Sequence, residues 1–186
     1  MKTKHLTHAI ILISMAAGIP LALSQEFANE EPVTEEATMV KKGSLTSMIA
    51  DSATFSTLTI ALKAAELDQT LGDKGEYTIF APTDEAFGKL PLPVLTKLLL
   101  PENKEKLRSL LLYHVFAGSM AAADLKDGEV KTMNGEKVEF DVDGDKVELD
   151  GSKVFSTDKV ATNGIMHSIG TVLVPTSLEG FADLNK

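Results

Sequence analysis

The sequence contains no cysteine and no tryptophan. Without a thiol there is no disulfide, no thiolate nucleophile, no Cys-ligated zinc and no lipid attachment through an N-terminal Cys, so core packing alone must hold the fold. Aromatic residues make up only 5% of the chain, too few for a platform on which nucleic-acid bases would stack. Positive charge is also in deficit: 18 Lys and Arg face 27 Asp and Glu, a formal charge of -9. A surface that acidic repels phosphate backbones and anionic lipid, which argues against nucleic acid as a partner. No Gly-x-Ser-x-Gly elbow and no Gly-rich phosphate loop is present, so the usual nucleophile and nucleotide frameworks are missing as well.

The remainder is ordinary globular composition. With 186 residues, 44% hydrophobic and 24% charged, the chain has room for one domain with a proper core and is too short for two of ordinary size. Residues 1–24 read as a secretory signal: Lys2 and Lys4 start it, Ala9 to Ile19 is apolar, and Ala22-Leu23-Ser24 sets cleavage after Ser24. A membrane anchor is the competing reading, but the run falls short of the roughly 20 residues of a span and Pro20 interrupts it. His5 and His8 leave with this leader, and losing Lys2 and Lys4 takes the formal charge to about -11. Residues 25–42 carry Glu26, Glu30, Glu31, Glu35, Glu36 and Pro32 and form an acidic, disordered linker. The expectation is a protein that is secreted, periplasmic or on the cell surface, and not embedded in a membrane after cleavage.

The folded part pivots on Tyr77 to Phe87. Tyr77, Ile79 and Ala81 alternate with Thr78 and Phe80 as in a strand. Pro82 stops the ladder, Thr83 fits a helix N-cap, and Asp84 and Glu85 place negative charge at the positive end of the helix dipole. Before this pivot, Ser44 caps a short helix with Leu45, Met48 and Ile49 inward. Phe55, Leu58 and Leu62 mark a second helix, Leu67 and Leu71 close the layer, and a Gly72 to Gly75 loop leads into the strand. After it, Pro93 opens a helix with Val94, Leu95, Leu98 and Leu99. Pro101 opens another, with Leu107, Leu110, Leu111 and His114 on one face and pairs Glu102–Lys106 and Glu105–Arg108. From Val130 the period becomes two. Asn134-Gly135, Asp143-Gly144 and Asp150-Gly151 signal tight turns between strands carrying Val138, Phe140 and Val142, then Val147 and Leu149. Further strands are expected at Lys153–Ser156 and Met166–Val174, ended by Pro175. Helices first and a meander of antiparallel strands later give an α+β domain.

Three stretches carry a resemblance. Glu76 to Phe87 resembles the first signature motif of the fasciclin-like domain family, Leu112-Tyr113-His114-Val115 its tyrosine–histidine motif, and Thr162 to Pro175 its closing motif, in order and at matching spacing across roughly residues 43–176. Glu76 stands where the family often has proline, and Gly170 where it usually has aspartate. The resemblance implies a small bent antiparallel β-sandwich with several helices along one side over residues 43–176. The residues beyond it, 177–186, read as a loosely attached tail in which Leu178 and Phe181 can pack back. The resemblance also implies structural roles for Phe80, Pro82, Thr83, Asp84, Phe87, Asn163, Gly164 and His167. In related animal domains the tyrosine–histidine motif is implicated in receptor contact. That points to Tyr113, His114, Leu112 and Val115, beside Leu111, as a binding cluster, with a buried core at a helix–strand junction as the rival reading.

Little else suggests chemistry. His114 and His167 with Asp158 would make a legitimate metal-ligand set, but nothing in the spacing brings them together, and backbone-tied histidines are the commoner arrangement. Asp141-Val142-Asp143-Gly144-Asp145 has Lys146 and Ser152 where an EF-hand loop needs Gly and Glu, so a hairpin tip is expected. Asp84 and Glu85 are adjacent and do not face each other on a helix. The reading is therefore a non-catalytic binding module without metal or cofactor, mediating cell adhesion or attachment to matrix or envelope. Its partner is a cell-surface or matrix protein or polysaccharide, with weak homo-oligomerisation as a source of valency. The alternative is a carrier holding an apolar molecule or pigment between helices and sheet, near Phe55, Leu58, Leu95, Leu98 and Phe116.

Overall fold

The computed structural model describes residues 43–73, 75–144 and 146–178; the expected signal and linker, Lys74, Asp145 and residues 179–186, Phe181 included, lie outside the described residues. The Ser44 hydroxyl accepts from Ser47 N at 3.3 Å and starts α1 (Leu45–Ala50), as a β-region N-cap should. α2 (Ser56–Ala64) buries Leu58, Ala61 and Leu62. A further short helix, α3 (Thr70–Asp73), stands where a loop is expected from Gly72 onward, because Leu71 is drawn fully into the core. β1 (Tyr77–Pro82) then meets Thr83, whose hydroxyl accepts from Ala86 N at 3.3 Å and caps α4 (Asp84–Gly88). α5 (Leu92–Leu98) has proline in its first turn, and α6 (Lys104–Tyr113) buries Leu107, Leu110 and Leu111. Lys104 Nζ lies 2.6 Å from Glu66, and Arg108 donates to the Ala65 carbonyl at 3.2 Å, so this helix's polar side is tied to the end of α2.

The strands β2 (Val115–Ala117), β3 (Gly128–Lys131), β4 (Lys137–Asp143), β5 (Lys146–Leu149), β6 (Ser152–Ala161) and β7 (Gly164–Ile169) join β1 in one seven-stranded sheet of order β2-β1-β7-β6-β5-β4-β3. The α+β class holds. The wholly antiparallel expectation is corrected at one ladder: β1 and β7 run parallel, Tyr77 opposite Gly164 through Pro82 opposite Ile169. All six residues of β7 are buried, as suits a parallel strand covered on both faces. The sheet also curls. Three strands intervene between β1 and β4, yet the Phe80 and Phe140 rings stand 5.5 Å apart. Just beyond β3, Met133 N donates to Val115 O of β2 at 2.8 Å, so the two sheet edges approach each other.

Curling creates two cores. Ile79, Ala81, Val115 and Met166 face the helices and pack with Leu45, Phe55, Leu58, Phe87, Leu98 and Leu110. Phe80, Phe116, Val138, Phe140, Leu149 and Ile169 fill the inside of the curl. The expected alternation along β1 is thus realised as two hydrophobic interiors, one on each side of the strand. Two strand boundaries differ from the expectation. β6 runs ten residues, held by β7 through two register shifts around Ser156. β7 stops at Ile169, because Val172 and Leu173 leave the ladder to enter the two cores. The Asp150-Gly151 turn has both residues at positive φ (45 and 72) between paired Leu149 and Ser152, a type I′ hairpin. Leu178 is buried, and Glu136 accepts from Thr176 N at 2.8 Å and from Ser177 Oγ at 2.6 Å; the start of the tail is part of the domain.

Candidate functional site

The tyrosine–histidine cluster forms where α6 ends. His114 is the helix C-cap, its backbone N–H donating to Leu111 O. The ring lies 2.8 Å through Nδ1 from Leu110 O, and Leu173 N donates to Nε2 at 2.9 Å. A carbonyl on one side and an N–H on the other fix the neutral tautomer with the proton on Nδ1. Burial pushes the pKa down to about 4 against a smaller opposing effect of the Leu110 hydrogen bond. The Tyr113 hydroxyl donates to Asp150 Oδ2 at 2.7 Å, with Lys137 O at 3.2 Å; burial and the Asp150 carboxylate raise its pKa. Asp150 also accepts from Glu139 N at 2.9 Å, so Tyr113 binds α6 to the β5–β6 turn. Tyr113, His114 and Val115 are 4%, 2% and 2% exposed; Leu112 is half-buried against the helix-side core. Three of the quartet thus lie in the buried junction where α6 passes into β2, with Leu112 half-buried beside them.

His167 lies elsewhere. Its ring stacks on Phe80 at 4.8 Å, Nε2 donates to Met120 O at 2.9 Å, and Nδ1 accepts from Asp158 N at 3.3 Å. This is the opposite tautomer to that of His114. Burial lowers its pKa, partly offset by the Met120 hydrogen bond and the Asp158 charge. Asp158 turns its carboxylate to Ala122 N at 2.8 Å. Only backbone and a ring nitrogen connect Asp158 with His167, and His114 faces Leu110 and Leu173; among the described residues no group of three or more His, Asp or Glu is arranged to hold a metal ion. In the acidic hairpin, Asp141 pairs opposite Glu148 and Asp143 opposite Lys146.

The other motif residues tie distant elements. Asn163 Oδ1 accepts from Leu45 N at 2.8 Å and Nδ2 donates to Leu71 O at 2.7 Å, while its own carbonyl accepts from Tyr77 N at 3.1 Å. Asp84 has a role beyond its own helix: its carboxylate accepts from Thr57 N at 2.7 Å and Ser56 N at 3.3 Å, capping α2 across 27 and 28 residues of chain. Burial opposes its ionisation, but these hydrogen bonds outweigh burial and hold the pKa below the usual aspartate value. Pro82 is the last residue of β1; Phe80 and Phe87 are fully buried. At Gly170 a Cβ would meet only Lys153 O at 3.9 Å and Phe155 Cε1 at 4.0 Å, so space does not exclude the aspartate that resemblance leads one to expect. Instead Lys89 Nζ donates to the Gly170 carbonyl at 2.6 Å.

The surface offers what the motifs do not. Phe155 is 60% exposed and lines an open, largely apolar cleft of about 350 Å³ with Thr54, Thr83, Asp84 and Glu85. A second hollow of about 340 Å³ is polar, lined by Asp127, Glu139, Asp141, Glu148 and Asp150. Of the residues proposed to line an apolar carrier crevice, Phe55, Leu58 and Leu98 are buried in the helix-side core with Leu95 packed against it, and Phe116 lies inside the curl. Phe155 belongs to none of the motifs, although the sequence carries a signal for it. Val154 and Phe155 are consecutive large apolar residues in a strand, and alternation turns one of them outward.

Most motif side chains of this α+β domain are engaged internally, while Glu85 and Phe155 are exposed. The chain belongs to the fasciclin domain family, whose family model matches residues 53–175. It is 39% identical over 166 residues to protein sll1483 of Synechocystis sp., covering 88% of this chain and 92% of that one. It is 35% identical over 133 residues to transforming growth factor-beta-induced protein ig-h3 of Sus scrofa, covering 70% of this chain but spanning only 19% of that much longer protein. A fasciclin domain pair from the insect cell adhesion molecule Fasciclin I shares the fold with a TM-score of 0.63 at 17% identity, over 72% of this chain and 51% of that one. No helix among the described residues is long and apolar enough to cross a membrane.

Proposed function

We propose that this protein is an exported, non-catalytic binding module that attaches a cell or its envelope to a surface or matrix component. The observation that carries this reading is the internal engagement of five polar or ionisable motif side chains that the sequence offers for chemistry. His114, His167, Asn163, Thr83 and Asp84 each bond to main-chain groups of the domain, so they fix a scaffold and leave recognition to its exterior. Kinship with a domain found in a cell adhesion molecule supports the same direction, and the composition of residues 1–24 supports export. One small domain has little avidity, so weak, numerous contacts with a cell-surface or matrix protein or polysaccharide are the expected mode. In a binding assay on the envelope and matrix of its own host, the purified protein should bind saturably and be displaced by unlabelled protein. Binding that rises linearly without saturation, or hydrolytic turnover abolished by replacing His114 and His167, would overturn the reading.

A further inference from the structure

We propose that the cleft between β6 and the start of α4 receives an arginine side chain presented by a partner protein. This deepens the binding-module reading and rests on it for its biological setting. Phe155 supplies an exposed aromatic face on one wall, and among the described residues no ring or cation is stacked on it. Asp84 and Glu85 line the same cleft. The Asp84 carboxylate is held ionised by the amides of Ser56 and Thr57, and Glu85 is exposed. A flat apolar wall beside two carboxylates matches a guanidinium, which is planar, stacks on aromatic faces and donates in a fork to carboxylates. An ammonium, compact and strongly hydrated, matches the wall less well. Lys89 is engaged on the Gly170 carbonyl at 2.6 Å, and Lys159 lies over the Phe55 ring at 5.9 Å.

The occupant is foreign rather than a second copy. The sequence holds a single arginine, Arg108, and it is half-buried and bonded to the Ala65 carbonyl. The cleft also differs from the acidic hollow on β4 and β5, which has carboxylates but whose one aromatic lining residue, Phe140, is buried.

The test is a titration of the full chain with N-acetyl-arginine amide and, separately, N-acetyl-lysine amide, followed by amide chemical shifts. Arginine should perturb Thr54, Glu85 and Phe155 together and bind about threefold more tightly than lysine. Phe155→Ala and Glu85→Gln should each weaken arginine binding by about threefold; both positions are exposed, so melting temperature should be nearly unchanged. Shifts centred on Glu139, Asp141 and Glu148, or equal binding of the two probes that Phe155→Ala leaves intact, would overturn the inference. The same variants in the host-surface assay separate the two readings. Saturable attachment that survives Phe155→Ala, without a cleft response to arginine, sinks the cleft alone. A cleft that takes arginine in a protein that attaches to nothing sinks the adhesion reading alone.

Discussion

Gly164 leads a parallel strand past a backbone that leaves no room for a side chain. A Cβ there would stand 1.8 Å from the Tyr77 carbonyl oxygen and 2.9 Å from Leu45 Cδ1, at φ +149, where the first is backbone and cannot swing aside. Gly164→Ala must therefore break the first rung of the β1–β7 ladder or displace α1. A loss of at least about 3 kcal/mol, or no folding at all, is expected from denaturant midpoints. Gly135→Ala is the control: a Cβ there meets nothing within 4 Å at φ +98, so only backbone strain of roughly 1–2 kcal/mol remains. Equal costs at the two positions would show that close approach to Tyr77 is not what requires glycine at Gly164. The neighbouring Asn163 explains why the pair works as a unit. Its amide joins α1 to α3 while its carbonyl takes Tyr77 N, so the turn before β7 is set from both sides.

At the scale of elements, the short helices depend on caps drawn from near and far. Thr83 and Ser44 cap their own helices and are legible because the acceptor and the orphan N–H lie three residues apart. Asp84 is half legible. Its acidic position at a helix start is visible, but its partners on α2 lie 27 and 28 residues back, beyond any local pattern. The same limit hides Asn163, whose partner Leu45 is 118 residues away. Asp84→Ala should cost about 1 kcal/mol by orphaning the amides of Ser56 and Thr57, and Asp84→Asn should recover part of it. The measurement is urea unfolding of both variants, with the acid limb followed as well. The carboxyl's folded pKa lies below 3.8, so its contribution is present above that value and declines as pH falls through the folded one. An alanine variant as stable as the parent at neutral pH would show that α2 is not capped from α4.

At the scale of the whole molecule, the α+β class, the three hairpin turns and the inward faces of the helices were legible because period and turn chemistry are local. The curl, the parallel ladder and the double core were not, since they depend on which strands meet after folding. His114 shows the consequence, for it ties the end of α6 on the helix side to Leu173 inside the curl. Protonation would turn Nε2 into a donor facing the Leu173 N–H, leaving two donors opposed in a site without water access. The folded pKa of His114 is about 4, against 6.5 for the free ring. The unfolded chain therefore binds more protons between those values, and stability present above pH 6.5 is lost as pH falls toward 4, by up to about 1.4 kcal/mol per pH unit. His167, also lowered from 6.5, acts in the same direction. The carboxylates held low, Asp84, Glu136 and Glu66, have ordinary values of 3.8, 4.5 and 4.5, so between pH 6.5 and 5 the slope belongs to the histidines. Unfolding free energies measured across that interval should fall for the parent and fall more gently for His114→Gln, which should itself be less stable at pH 7. An unchanged slope in the variant would remove His114 as the acid-sensitive tie, and the loss of stability would then belong to His167 and its contacts with Met120 and Asp158.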